Sequence, residues 1–484
     1  MCNADGCGSH GQVSRRTFLV SSAAVAAGGA LASFSATGAT AGQPATGPGR
    51  RYVPRIKVAF VRRQGDYGMW WPGAIYDGAA ALKNYTEQVY AAAREFSVEA
   101  ALRTEPIYSL AEGEAWVAQA EAEKCDGLLL IVLDRQEHSW PTAALAVASP
   151  APSVIFAPIG AAFTTNTAPF AGKTGSVIYS TDDFGQAVYG IKMIAAAARL
   201  RETRFVVIAG NERKQAAVPH FGTTLQYVPA ASFLELYNQT PVNAEVRALA
   251  DEYLQGAQKI SGATPDDVIN GVKSYIVART ILERESADAI SMDCLGALGK
   301  TNVSLPCIAW SRMLDSGIPA ACEADLSACI THALVMYLFD RPGFQQDPVP
   351  DTANDCLIGA HCTCPTRLAG FNAPPEPFRL SHHHGNRDAV PVPRWKEGQR
   401  ATVACIGLTQ SAEAKPSMVI SAGSVYENIS VPPSGGCVVS VSLKLDGNPP
   451  LLSYPGFHQI FFYGDYKKEL ADYCQLFGVE PQLV

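Results

Sequence analysis

Paired CxxC units are missing from this chain, although its 484 residues include 13 cysteines. Two of them, Cys2 and Cys7, fall in an N-terminal stretch that reads as a cleaved signal, which leaves an odd eleven. Spacing and length together exclude a small disulfide scaffold. Basic patches with interleaved aromatics are also missing. A net charge of −7 gives no electrostatic reason to bind nucleic acid or an anionic membrane. Neither a P-loop nor a GxGxxG fingerprint occurs; "AGNERKQ", after a strand-like run at 204–210, resembles neither. Beyond the N-terminal stretch no apolar run is long enough to cross a bilayer, so no stable membrane span is expected. The mature part contains no internal repeat and no low-complexity tract.

What remains is an ordinary globular composition, 48% hydrophobic and 17% charged, long enough for two to four domains. At the N-terminus "SRRTFLV" sets Arg15 and Arg16 before an Ala-rich apolar run, and "ATA" follows at 39–41 as a small-x-small cleavage pattern. These features predict a twin-arginine export signal over 1–41 and a periplasmic or secreted protein; a membrane anchor is the alternative. Because that route carries folded cargo, a metal site can fill before export, away from competing copper and zinc.

Residues 42–52, "GQPATGPGRRY", read as a linker. Apolar runs at 55–61, 126–134 and 152–159 alternate with a helical pattern at 78–97, which predicts a parallel sheet covered on both faces over 53–172. A second α/β unit is expected over 173–345. It has strands at 204–210 and 287–293, a long helix at 265–286, and "LPCIAW" at 305–310 as a further strand. After about residue 375 the runs become short, β-branched and alternating, the pattern of an antiparallel sandwich or barrel, closed by an amphipathic helix. The fold class is thus α/β, with two parallel-sheet Rossmann-like domains followed by an antiparallel β-rich C-terminal domain over 346–484.

Four residues in the last third form a candidate ligand set. Glu323 stands at the head of an apolar helix in "GIPAACEADL", and Asp347 lies in a loop, "RPGFQQDP". His361 follows a short strand in "CLIGAHCTCPT", and His458 begins one in "YPGFHQIFF". Two carboxylates and two imidazoles suit Mn²⁺ or a similar divalent ion. Spacing alone does not bring them together. An acid near a helix start is favoured by the helix dipole in any case.

These segments, in this order, resemble the L-fucose/L-arabinose isomerase family. Its members carry G-I-P-x-x-C-E, P-x-F-x-x-D, H-C or H-M-x-x-C-P, and a late P-G-x-H; the likeness covers 288–484. The resemblance implies that Glu323 and Asp347 bind Mn²⁺ and form the proton-transfer pair. It also implies that His458, and in the arabinose branch His361, are ligands. His382, in "RLSHHHGN", is the histidine that fits the pattern for contact with sugar hydroxyls, unless it sits in an exposed loop. Trp70 and Trp71 follow the first strand and are candidates to stack on a sugar, with core packing as the alternative. A trimer or hexamer is implied as well.

The chemistry needs such a set. Moving a proton between C2 and C1 of an aldose through a cis-enediol requires stabilisation of negative charge on O1 and O2, and carboxylates to carry protons. The expected function is therefore a metal-dependent aldose–ketose isomerase. The alternatives are a related epimerase or lyase, a non-catalytic periplasmic sugar binder, and a zinc protein using His361, Cys362 and Cys364. His332, in mid-helix, reads as packing.

Overall fold

The computed structural model describes residues 47–64, 77–135, 137–383, 387–409, 411, 414–430 and 437–484. The expected signal, with Arg15 and Arg16, and the proposed stacking residues Trp70 and Trp71 lie outside them. Everything described belongs to the unit Pro44–Val484. Among the described residues no helix is long and apolar enough to cross a membrane.

The segment expected as linker is already folded at its end. Residues Pro48–Arg51 form one helical turn, and the backbone N–H groups of Gly49 and Arg50 donate to the Asp288 carboxylate at 3.0 Å each. Only glycine fits at 47, because a Cβ there would lie 2.3 Å from Asp288 Cγ.

Five strands form the first sheet: β1 (Arg55–Val61), β2 (Glu99–Leu102), β3 (Gly127–Val132), β4 (Ser153–Ala157) and β5 (Ser176–Ser180). All pair in parallel, in the order β2-β1-β3-β4-β5. The apolar run of β3 follows from helices on both faces. Leu129 and Ile131 enter one core cluster, while Leu128, Leu130 and Val132 enter another. Because β5 starts at 176, this sheet runs past the boundary expected at residue 172.

The second sheet takes β6 (Arg204–Ile208), β7 (Lys214–Ala217) and β8 (Thr224–Val228); β9 (Lys259–Ser261) leaves it; then come β10 (Ala289–Met292) and β11 (Ala320–Cys322). Its order is β11-β10-β6-β8-β7, parallel except for the β7–β8 hairpin. Between β9 and β10 the helix Pro265–Arg284 starts with a capping box, Thr264 with Asp267. "LPCIAW" is not a strand. Pro306 caps the helix Cys307–Asp315, and the apolar residues continue at helical spacing.

The β-rich region begins earlier than its composition change, at β12 (Phe344–Asp351) and β13 (Cys356–His361). Asp347 is therefore a strand residue, not a loop residue. Next come β14 (Phe378–His383) and β15 (Arg387–Pro393), which form a three-stranded sheet with β9. Then β16 (Arg400–Gly407), β17 (Ser417–Ile429), β18 (Val439–Leu445) and β19 (Gln459–Tyr463) complete the set, with β20 (Glu480–Leu483) parallel to β17. The order β16-β19-β12-β13-β18-β17 closes through β16–β17 into a six-stranded antiparallel barrel. Closure removes the open edges that a sandwich would leave. Phe344, Leu357, Val403, Val425, Val441 and Phe461, one from each strand, fill the interior. Ile460 and Phe462 point outward and join the cluster around helix Leu326–Phe339.

Candidate metal centre

Glu323 does not lie in a helix. It follows β11 in a tight turn, and Glu323 and Ala324 both adopt left-handed backbone conformations, φ 62° and 53°. Such residues cost about 1–2 kcal/mol each and persist where the surroundings hold them. Here the Ala324 N–H donates to Met292 O at the end of β10, and the Asp325 N–H to Cys322 O. Asp325 then caps helix Leu326–Phe339, its Oδ1 accepting from Ala328 N at 2.9 Å. The turn thus projects Glu323 beyond the carboxyl end of a parallel strand, where α/β ligand sites form.

Gln345 joins this turn to the barrel. Its Oε1 accepts from Cys322 N at 2.8 Å, and its Nε2 donates to Cys322 O at 3.4 Å, so the amide completes the edge of β11. Two residues along β12, on the same face, stands Asp347. The β12–β19 register pairs Phe344 with Phe461 and Gln346 with Gln459; its next step sets His458 opposite Asp347. His361 ends the neighbouring strand β13.

The four residues meet at this seam. His458 Nε2 lies 3.1 Å from Asp347 Oδ1 and 3.6 Å from Glu323 Oε2, while His361 Nε2 lies 3.8 Å from Glu323 Oε1. Both imidazoles are buried, and the two carboxylates are about one-third exposed at the mouth. Asp347 Oδ1 and His458 Nε2 face each other as a buried ion pair, and neither atom has a further hydrogen-bond partner. Two neighbouring ligands of an octahedral ion at ~2.1 Å stand about 3.0 Å apart, a spacing this ion pair already has. On its far side His458 Nδ1 hydrogen-bonds Asp325 Oδ2 at 2.8 Å, which fixes the tautomer and aims Nε2 inward. Glu323, His361 and His458 thus offer ligand atoms all within 4.8 Å of one another, a group that could hold a divalent metal, with Asp347 reaching it through His458.

The electrostatics agree with this. Burial works against a proton on His458, but the Asp325 hydrogen bond and the Asp347 charge prevail and hold its pKa up at about 9. The negative field that retains that proton would equally favour a cation. Burial pushes Asp325 up, yet its bond to His458 leaves it below the usual range. Burial also opposes charge on His361, but Cys362 beside it raises its pKa.

Other expected residues lie elsewhere. The ring of His382 rests against Gly262 beside β9, and the next residue, His383, approaches Cys307 and Cys362 instead. Cys364 is packed in the barrel core, its thiol donating to Pro365 O, so it does not join His361 and Cys362 as a zinc ligand. His332 is fully buried in the helix. A cavity of about 350 Å³ lined by Lys57, Trp116 and Glu123 belongs to the first sheet and contains none of the ligand set. Sequence reasoning missed three contributors: Asp325, which reads as a helix cap; Gln345; and Phe457, an exposed ring 4.6 Å from that of His458. The "EAD" spacing was a signal for Asp325, since a cap carboxylate has a second oxygen to offer. No protein-family model matches the chain, and no curated protein matches it.

Proposed function

We propose that this chain is a metal-dependent aldose–ketose isomerase that works through a cis-enediol, with Glu323, Asp347, His458 and His361 holding the metal. The observation that carries the reading is the meeting of Glu323, His361 and His458 within 4.8 Å of one another, with Asp347 3.1 Å from His458 Nε2. A divalent ion, Mn²⁺ by preference for oxygen and imidazole donors, would supply Lewis-acid stabilisation of the two sugar oxygens. Glu323, about one-third exposed, removes the C2 proton; the C2–H electrons form C1=C2 and the carbonyl oxygen gains a proton. Returning a proton to C1, with O2 losing its own, completes the ketose. Asp347 serves the hydroxyl protons, and His458 is kept aimed by Asp325. Phe457 offers an aromatic face at the mouth for the sugar ring. The N-terminal "SRRTFLV" supports export by the twin-arginine route as part of the same reading.

The test is incubation with Mn²⁺ and a panel of aldoses in D₂O. Deuterium at C1 of the ketose and, on reversal, at C2 of the recovered aldose is expected, and Glu323→Gln should lower the rate by about 10²–10⁴-fold. Retained exchange in that variant would remove Glu323 from its role. Exchange that yields only the C2 epimer would replace the isomerase reading with an epimerase, and binding without exchange would leave a sugar binder.

A further inference from the structure

Behind His361 lies a group of sulfur donors for which isomerisation has no use. His361 Nε2 faces Glu323, while its Nδ1 stands 3.5 Å from Cys362 Sγ. Cys362 follows β13, Cys307 opens the helix Cys307–Asp315, Cys322 ends β11 and His383 ends β14. All four are buried. Cys307 Sγ lies 3.5 Å from Cys362 Sγ, and a ring nitrogen of His383 lies within 4.8 Å of both sulfurs. Cys322 Sγ is also within 4.8 Å of Cys362 Sγ.

A tetrahedral zinc with Zn–S ~2.3 Å and Zn–N ~2.0 Å sets its sulfurs about 3.8 Å apart and sulfur and nitrogen about 3.5 Å apart. Cys307, Cys362 and His383 lie close to that geometry, while Cys322, near Cys362 but outside the 4.8 Å group of the other three, swings in to complete it. Buried cysteines commonly serve as small apolar fillers. Filling space does not call for an imidazole turned toward two thiols from separate segments.

We infer that Cys307, Cys362 and His383, with Cys322 as fourth donor, form a closed tetrahedral Zn²⁺ site. Its soft donors set it apart from the oxygen-rich centre on the other side of His361. Each ligating thiol releases its proton to solvent as it binds. The site clamps the edge of the second sheet and the helix Cys307–Asp315 to the barrel. It stands whether or not the chain is an isomerase.

The test uses the full chain, reduced, freed of metal by chelation and titrated anaerobically with Co²⁺. A thiolate-to-Co²⁺ charge-transfer band should appear in the near ultraviolet, saturate at one equivalent and vanish on adding Zn²⁺. Losing a ligand should weaken Co²⁺ binding by at least roughly 100-fold, since lost supporting bonds alone cost 10–100-fold. Cys307→Ser, Cys362→Ser and His383→Gln should each do so. Should Cys362→Ser fail to fold, the other two decide. Glu323→Gln should leave the band intact, and Cys307→Ser should leave Mn²⁺ binding intact, so the two centres fail separately. No band in wild-type protein whose thiols titrate as free, or a band unchanged in both Cys307→Ser and His383→Gln, overturns the site.

Discussion

Two buried histidines flank the same helix, and their surroundings drive them in opposite directions. His332 lies inside Leu326–Phe339, fully buried, with neither ring nitrogen hydrogen-bonded; burial pushes its pKa down to about 3. His458, 5% exposed, stands before the helix's first turn, and two carboxylates hold its pKa up at about 9 despite burial. Burial is common to both. What differs is the charge that the fold sets beside each ring. Asp325 reaches His458 because it is already locked as the helix cap, and Asp347 reaches it because strand register puts the two opposite each other. A buried histidine alone therefore says little about function; one aimed by a second side chain at a further pair of carboxylates says much more.

The largest effect on this comparison should come from acid. His332 carries a depressed pKa, so the folded state refuses a proton that the unfolded chain accepts below its ordinary 6.5. Stability is intact above pH 6.5 and is lost as pH falls toward 3. At ~1.4 kcal/mol per pH unit the loss is on the order of 5 kcal/mol. His361 adds to the depression and Asp325 opposes it. In His332→Leu the acid limb of the stability curve should shift to lower pH, read by thermal melts across pH 3–7. An unchanged limb would break the contrast between the two rings.

Next in size is Asp325→Asn. Asparagine caps a helix about as well as aspartate, so the fall in melting temperature that follows below pH 9 comes from the lost pairing with His458 and not from the cap. With the carboxylate on His458 gone, Mn²⁺ affinity should fall by about 10–100-fold in a direct titration. Equal affinity in the variant would make Asp325 a cap and nothing more. Gln345→Leu acts on the seam itself. It leaves Cys322 N–H buried without its acceptor, which should cost about 1–3 kcal/mol in denaturant unfolding.

The legibility of the chain follows the range of the forces involved. Apolar runs such as β3 and the capping box at Thr264 are local patterns, and they read directly as a sheet and a helix start. "LPCIAW" misled because a short apolar run does not distinguish strand from helix; Pro306 and the residues after it decide. Barrel closure depends on the β16–β17 pairing, which no local window contains. Of the site, the four ligand types were readable as residues, but their meeting depends on Gln345 reaching β11 and on the β12–β19 register. The choice of His382 over His383 turned on strand alternation next to a bulge in β14, where sequence does not say which ring faces which way.

The smallest effect should come from the turn that carries Glu323. Ala324 holds φ 53°, a conformation that favours glycine. Ala324→Gly relieves about 1 kcal/mol of backbone strain but frees the unfolded chain by a comparable amount. Net stability should move by less than about 1 kcal/mol. The aim of Glu323 is another matter, because the strained turn is pinned by the Ala324 N–H to Met292 O bond and a glycine loosens the backbone around it. Mn²⁺ affinity should therefore fall, by less than about tenfold, while the melting temperature stays nearly constant. A matching loss in both would mean the turn serves folding alone; a loss in affinity alone means that the strain at 323 and 324 is kept to point one carboxylate at His458.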